Sequence, residues 1–244
     1  MTASLKTNEM KAILLSNRIK APYDVNFSLL DVGLSKESID NLLSKNKELD
    51  WIIYDMNSDS NLDLDALIHS SYTYPNLKFI IISSGYVFGD FNWNESTELD
   101  EIESISNKLP DGIKLWVLRA ELFDKNLLNK DFSEDRVYHG SIDKRYSLIT
   151  EESLISIIDG LMKNHTEIKE GTYHIVPKDT QTEYEILNYI AWNKGEKPYI
   201  ERSTSTHPLN HILKTYKPEE LDRIWKFSGY EETPTFKKLL DLIL

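Results

Sequence analysis

Short apolar runs alternate with amphipathic stretches through the first half of the chain. Lys11 to Ser16 (KAILLS), Trp51 to Tyr54 (WIIY), Lys78 to Ser83 (KFIIIS) and Lys114 to Arg119 (KLWVLR) are the apolar runs. Each has the length of a strand, and continuous apolar character without alternation marks strands covered on both faces. Lys78 to Ser83 is the clearest of them, β-branched and bounded by Pro75 and Gly85. The stretches between them carry helical spacing. Ser35 caps a predicted helix to Lys45 that puts Ile39, Leu42 and Leu43 on one face. Leu62 to His69 (Leu64, Leu67 and Ile68 inward) and Leu99 to Leu109 (Leu99, Ile102 and Ile105) read the same way. Strand and helix in alternation predict an α/β fold with a parallel sheet.

The second half changes texture. Thr150 caps a helix to Met162, with Glu151 and Glu152 at its positive end and Leu154, Ile157, Ile158 and Leu161 as its stripe. Thr172 to Val176 is a short strand. Thr182-Glu183-Tyr184-Glu185 is a capping box that opens a helix to about Trp192. Pro218 and Pro234 each suit the first residue of a later helix. The expected organisation is a shortened Rossmann-like, doubly wound sheet over residues 1–135. A smaller helix-rich part over residues 136–244 is intertwined with it. Ligands are then expected where the helix-rich part meets the sheet. Trp51, Trp116 and Trp225 are expected in the core.

Composition narrows the function classes. The 244 residues hold 28 Lys plus Arg against 40 Asp plus Glu, so the formal charge is 28 − 40 = −12. That balance argues against a nucleic-acid binder, which needs surplus cations to neutralise phosphates. There is no cysteine, which removes disulfides, thiolate catalysis and cysteine-ligated metal centres. No apolar run approaches the ~20 residues of a membrane helix. Met1 to Met10 is polar, without the apolar core of a signal peptide. A cytoplasmic protein is expected.

The chemistry that a parallel sheet invites is missing at its usual place. A dinucleotide site needs glycines after the first strand, so that backbone can touch the pyrophosphate at a helix N-terminus. Here Asn17-Arg18-Ile19-Lys20-Ala21-Pro22 follows, and the first glycine is Gly33. No glycine-rich phosphate loop and no G-x-S-x-G elbow occurs anywhere. His207 and His211 have the i,i+4 spacing of metal ligands, but Pro208 lies between them without an acidic partner, so no metal site is read there.

Ile82-Ser83-Ser84-Gly85-Tyr86-Val87-Phe88-Gly89-Asp90 resembles the segment after a central strand in extended short-chain dehydrogenases, specifically the dTDP-4-dehydrorhamnose reductase group, which reads S-T-D-Y-V-F-D-G there. Other pieces follow in family order. They are Asp31-Val32, Asp50-Trp51-Ile52-Ile53, Val117-Leu118-Arg119, Gly171-Thr172-Tyr173-His174-Ile175, Thr182 to Ala191, His207-Pro208-Leu209-Asn210 and Pro234 to Leu244. The resemblance implies a sugar-nucleotide ligand and a place in surface polysaccharide biosynthesis. In that family a Ser or Thr and a Y-x-x-x-K pair polarise and protonate a carbonyl reduced by NAD(P). Ser84 and Lys108 fall at the hydroxyl and lysine positions, while Ser104 stands where the tyrosine belongs. A literal Y-x-x-x-K at Tyr74 to Lys78 precedes the strand, where the family's tyrosine follows it. Relative to the family the chain is shortened between Ser16 and Asp31, where the glycine turn and an early helix–strand pair belong. It is shortened again between Asn57 and Leu77.

These departures lead to one expectation and its rival. The expectation is a protein without NAD(P)-dependent redox activity and without a cofactor, which binds a nucleotide sugar or serves a protein partner. The fold family contains such a regulatory role in the methionine adenosyltransferase beta subunit. Tyr86, Arg119, His207 and Asn210 are its candidate substrate contacts. The rival is an active NAD(P)-dependent sugar-nucleotide reductase or epimerase with a rebuilt site. It would use Ser84 and Lys108 in catalysis and Ser16, Asn17 and Arg18 at the cofactor. The oligomeric state is open, a homodimer being one option.

Overall fold

The computed structural model describes residues 12–16, 19, 27–30, 41, 43–44, 49–56, 64–83, 105, 107–123, 132, 137–142, 145–197, 199–204 and 218–244. The chain forms two compact units. The first takes Met1–Ser83, Thr97–Leu118 and Glu170–Thr172, and the second Ser84–Ser96, Arg119–Lys169 and Tyr173–Leu244.

The four apolar runs are strands. They are β1 (Ala12–Leu15), β3 (Trp51–Asp55), β4 (Lys78–Ser83) and β5 (Lys114–Arg119). A further strand, β2 (Phe27–Leu30), lies on the other side of β1, and β10 (Gly171–His174) lies beside β5. The sheet order is β10-β5-β4-β3-β1-β2, and the β1–β2, β1–β3 and β3–β4 pairs are parallel. This is the expected α/β Rossmann-like sheet, with one difference. The interval between Ser16 and Asp31, read as having lost a helix–strand pair, still holds a strand, β2. Every residue of β1 and β3 is buried, which is why these segments lack polar alternation. Trp51 and Trp116 meet at 5.4 Å and a tilt of 41°. Helix α1 (Leu64–Thr73) sends Ile68 against Ile81 and Val117. Most of the predicted helix from Ser35 to Lys45, and of that from Leu99 to Leu109, lies outside the described residues.

In the second unit α2 (Glu151–Lys163) begins as predicted. The Thr150 hydroxyl accepts from the Ser153 N–H at 3.1 Å. Leu154, Ile157, Ile158 and Leu161 are buried, each a gross gain of about 1.5–3 kcal/mol. α2 packs against α4 (Pro218–Phe227), which starts at the predicted proline. The contact is close because Gly160 faces the Phe227 carbonyl. Trp225 of α4 is buried and donates its indole N–H to the Val176 carbonyl at 3.3 Å. α3 (Glu183–Asn193) opens with the predicted capping box: Thr182 accepts from the Glu185 N–H at 3.2 Å, and Glu185 accepts from the Thr182 N–H at 2.7 Å. Ile186, Leu187, Ile190 and Ala191 of α3 meet Phe236 and Leu240 of α5 (Phe236–Leu240) in this unit's core. Thr235, not Pro234, is the cap of α5, so the proline stands one residue ahead of the cap.

The second half also contains more strand than its pattern suggests. β6 (Glu121–Leu122) pairs in parallel with β9 (Leu148–Ile149), β7 (Val137–Ser141) in parallel with β12 (Tyr199–Ser203), and β8 (Arg145–Tyr146) antiparallel with β11 (Gln181–Thr182).

Candidate functional site at the sheet switch point

β1 has β2 on one side and β3 on the other, so the chain reverses direction across the sheet between them. In open α/β sheets such a reversal leaves a crevice outside the carboxyl ends of the two strands. Ser16 follows β1 there, and Asp55 ends β3. Both are buried, at 1% and 0% exposure. The Ser16 hydroxyl donates to the Asp55 carboxylate at 2.7 Å and accepts from the Ile19 N–H at 3.2 Å. One hydroxyl thus closes the turn after β1 and holds a buried acid. Ser83, buried, ends β4 on the far side of Asp55, and the Met56 N–H donates to the Ile82 carbonyl at 2.9 Å, extending the ladder past the acid. Sequence reasoning placed Ser16 at a cofactor and passed over Asp55. The available signal was an acid closing an otherwise apolar strand, since a buried carboxylate needs hydrogen-bonding partners.

Arg119, at the end of β5, is 8% exposed. Its guanidinium Nη1 lies 3.5 Å from His174 Nε2, and its carbonyl accepts from the Ile175 N–H at 2.8 Å. Next to His174, Tyr173 donates its hydroxyl to the Lys169 carbonyl. Burial, and secondarily the Glu220 carboxylate, push the Tyr173 phenol up to about 12. A phenol that must give or shuttle a proton near neutrality needs the opposite shift. Tyr173 is thus held protonated well above neutral pH.

Lys108 is exposed in the first unit, and its carbonyl accepts from the Tyr72 hydroxyl at 2.9 Å. Tyr74 and Lys78 stand at the amino end of β4, the opposite end of the strands from Ser16 and Asp55. Tyr74 packs on the core beside Leu77, and Lys78 lies 5.4 Å over the Trp51 ring. Asn17, Arg18, Ser84, Tyr86, His207 and Asn210 lie outside the described residues, as do Ser104 and His211. Among the described residues no group of three metal-ligating side chains occurs, and no helix is long and apolar enough to cross a membrane.

No protein-family profile and no curated protein matches the chain. Solved structures do. A dTDP-4-dehydrorhamnose reductase from Clostridium acetobutylicum matches at a TM-score of 0.68 and 15% identity, over 96% of this chain and 99% of that one. The dTDP-4-dehydrorhamnose reductase of Bacillus anthracis, in complex with NADP, matches at 0.69 and 14%, over 96% and 98%. A GDP-mannoheptose C4 reductase from Campylobacter jejuni, with NADP bound, matches at 0.67 and 13%, over 96% and 97%. The resemblance seen in the sequence is met in three dimensions. The chain has the fold of the dTDP-4-dehydrorhamnose reductases and related sugar-nucleotide reductases and epimerases.

Proposed function

We propose that the chain is a sugar-nucleotide-binding protein of this fold that does not carry out NAD(P)-dependent redox chemistry. The observation that carries the reading is the Ser16–Asp55 pair with its Ile19 N–H. A dinucleotide diphosphate at a β1 turn is held by free backbone N–H groups and needs glycine-sized space. Here one of those N–H groups is already bonded inside the protein, to a side chain that glycine would not have. The same side chain holds an acid at the crevice. An acid placed there does not suit an anionic diphosphate. These residues do not fit the phosphates of NAD(P).

The substrate side retains its cation. Arg119, buried at the end of β5, is the group proposed to meet a ligand phosphate, with Tyr86, His207 and Asn210 as further contacts.

The test is thermal unfolding of the full chain with NADH, NADPH and a panel of dTDP-, UDP- and GDP-sugars. A ligand at a hundred times its Kd adds about 2.7 kcal/mol. At about 2–4 °C per kcal/mol for a chain of this size, that is a rise of about 5–10 °C. The reading expects the rise with at least one nucleotide sugar and none with either cofactor. Saturable stabilisation by micromolar NADPH overturns the loss of redox function, and a flat response to every nucleotide sugar overturns the ligand class.

The second reading, an active reductase or epimerase using Ser84 and Lys108, draws on the NADP bound to two of the structural neighbours. It requires turnover of a nucleotide keto-sugar that Lys108→Met abolishes.

A further inference from the structure

α3 carries a row of side chains one turn apart: Asn188 and Trp192 are exposed, while Tyr184 is half-buried, its backbone against Gly140 and its ring 5.2 Å from the Arg202 guanidinium. The opposite face of the helix is buried in the core, so its packing does not require Asn188 or Trp192. Trp192 is 71% exposed. The row borders a groove of about 590 Å³ whose other wall is α5 and the residues before it. That volume lies within the roughly 300–1,000 Å³ of small-molecule sites.

The aromatic floor is fixed by its own contacts. Trp192 is tilted at 37° to Tyr189, with ring centroids 6.2 Å apart. The Tyr189 hydroxyl donates to the Asp241 carboxylate, and the Lys237 ammonium lies 5.3 Å from the Tyr189 ring centre. Gly195, at φ 71°, turns the chain away two residues after the helix ends. A floor ordered in advance lowers the entropy lost on binding.

The polar atoms around this floor select the ligand. Asn188 gives one of its two amide N–H groups to the Tyr184 carbonyl at 2.7 Å, which leaves its carboxamide oxygen as an acceptor and its second N–H as a donor. Gln181 gives one of its N–H groups to Asp179 at 3.0 Å, with the same result. The Glu185 carboxylate has one oxygen in the helix cap and one outside it. The rim therefore offers both acceptors and donors to hydroxyl groups and, with Asp179, Glu185 and the nearby Asp241 against Lys237, disfavours anions. The exposed indole face takes a flat C–H surface. A neutral pyranose has both, a C–H face and a rim of hydroxyls. We propose that the groove between α3 and α5 binds a neutral glycan by stacking one sugar ring on Trp192. No residue of this groove belongs to the Ser16–Asp55 site, and its ligand is uncharged where a nucleotide sugar is anionic. The inference therefore stands whether or not the sugar-nucleotide reading does.

The test is saturation-transfer NMR of the full chain with cellotriose, maltotriose and chitotriose, and with dTDP as the anionic control. The indole resonance of Trp192 is identified by its loss in Trp192→Phe. The expected result is saturable binding of at least one trisaccharide that shifts this resonance and weakens about tenfold or more in Trp192→Ala. Asn188→Ala, at an exposed site outside the core, should weaken it as well and carries the test if Trp192→Ala fails to fold. No transfer from any trisaccharide at tens of millimolar overturns the proposal. So does a dTDP response at Trp192 as strong as the sugar's, or concentration-dependent broadening of Trp192 without sugar, which would make the face a self-association surface.

Discussion

Gly160→Ala sets two known effects against each other, and the structure decides between them. Gly160 lies inside α2, where alanine gains about 1 kcal/mol in helix propensity. A Cβ there would sit 2.6 Å from the Phe227 carbonyl oxygen, 2.8 Å from its carbon and 3.0 Å from the Ser228 nitrogen. All three are backbone atoms. They cannot rotate aside as a side-chain tip would, and the Ser228 N–H is itself bonded to the Ile224 carbonyl at 3.1 Å. α4 would have to move bodily, with Trp225 carried along in the core. Overpacking costs about 1–3 kcal/mol in general, and an immovable obstacle puts this case near 3. The net is about 2 kcal/mol of destabilisation. For a chain of this size that lowers Tm by about 4–8 °C. Thermal unfolding followed by circular dichroism at 222 nm measures it directly. An unchanged or raised Tm would show that α2 and α4 are not in the close contact described, and the packing of the second unit would have to be redrawn.

Two further perturbations test other parts of the structure. Because burial raises the Tyr173 phenol to about 12, the folded chain keeps a proton that the unfolded chain releases near 10. The contribution is complete below pH 10 and is lost as the pH rises through 12, at most about 2–3 kcal/mol. Urea unfolding should show that loss, and Tyr173→Phe should remove the Tyr173 share of it; an unaltered alkaline slope in the variant refutes the assignment. Thr182→Ala removes the hydroxyl that accepts from the Glu185 N–H and should lower stability by about 1 kcal/mol, read as a Tm drop of about 2–4 °C. A drop within error would mean that the box does not hold the start of α3.

The sheet was legible where burial on both faces leaves a continuous apolar run, as in Lys78–Ser83 and Lys114–Arg119. Helix starts were legible where one hydroxyl does a specific job, as at Thr150 and Thr182. β2 was not, because Ser28 interrupts its four residues FSLL, which then show neither the continuous apolar run of β1 nor a period. β7 (VYHGS) and β12 (YIERS) hid for another reason. Both are half exposed, and β7 needs its glycine because a Cβ at Gly140 would sit 2.6 Å from the Tyr184 Cα. The two-residue strands carry no pattern at all. At the candidate site, composition revealed the missing glycines but not what replaces them. The Ser16–Asp55 bond joins residues 39 apart, and no local spacing encodes it. The groove beside Trp192 was open to discovery. Asn188 and Trp192 stand four residues apart on the polar side of a predicted helix, where an aromatic ring such as Trp192 has no core to fill.

The ladder between β7 and β12 dictates an order of events during folding. Val137 cannot meet Tyr199 until α2, β10 and α3, which all lie between them in the chain, have been made. Pairings that distant lose loop-closure entropy before any contact repays it, so they form late. A ribosome synthesising this protein releases β1 to β5 early, able to zip together while translation continues. The second unit must wait, with Val137–Ser141 unmatched, until Ser203 has cleared the exit tunnel.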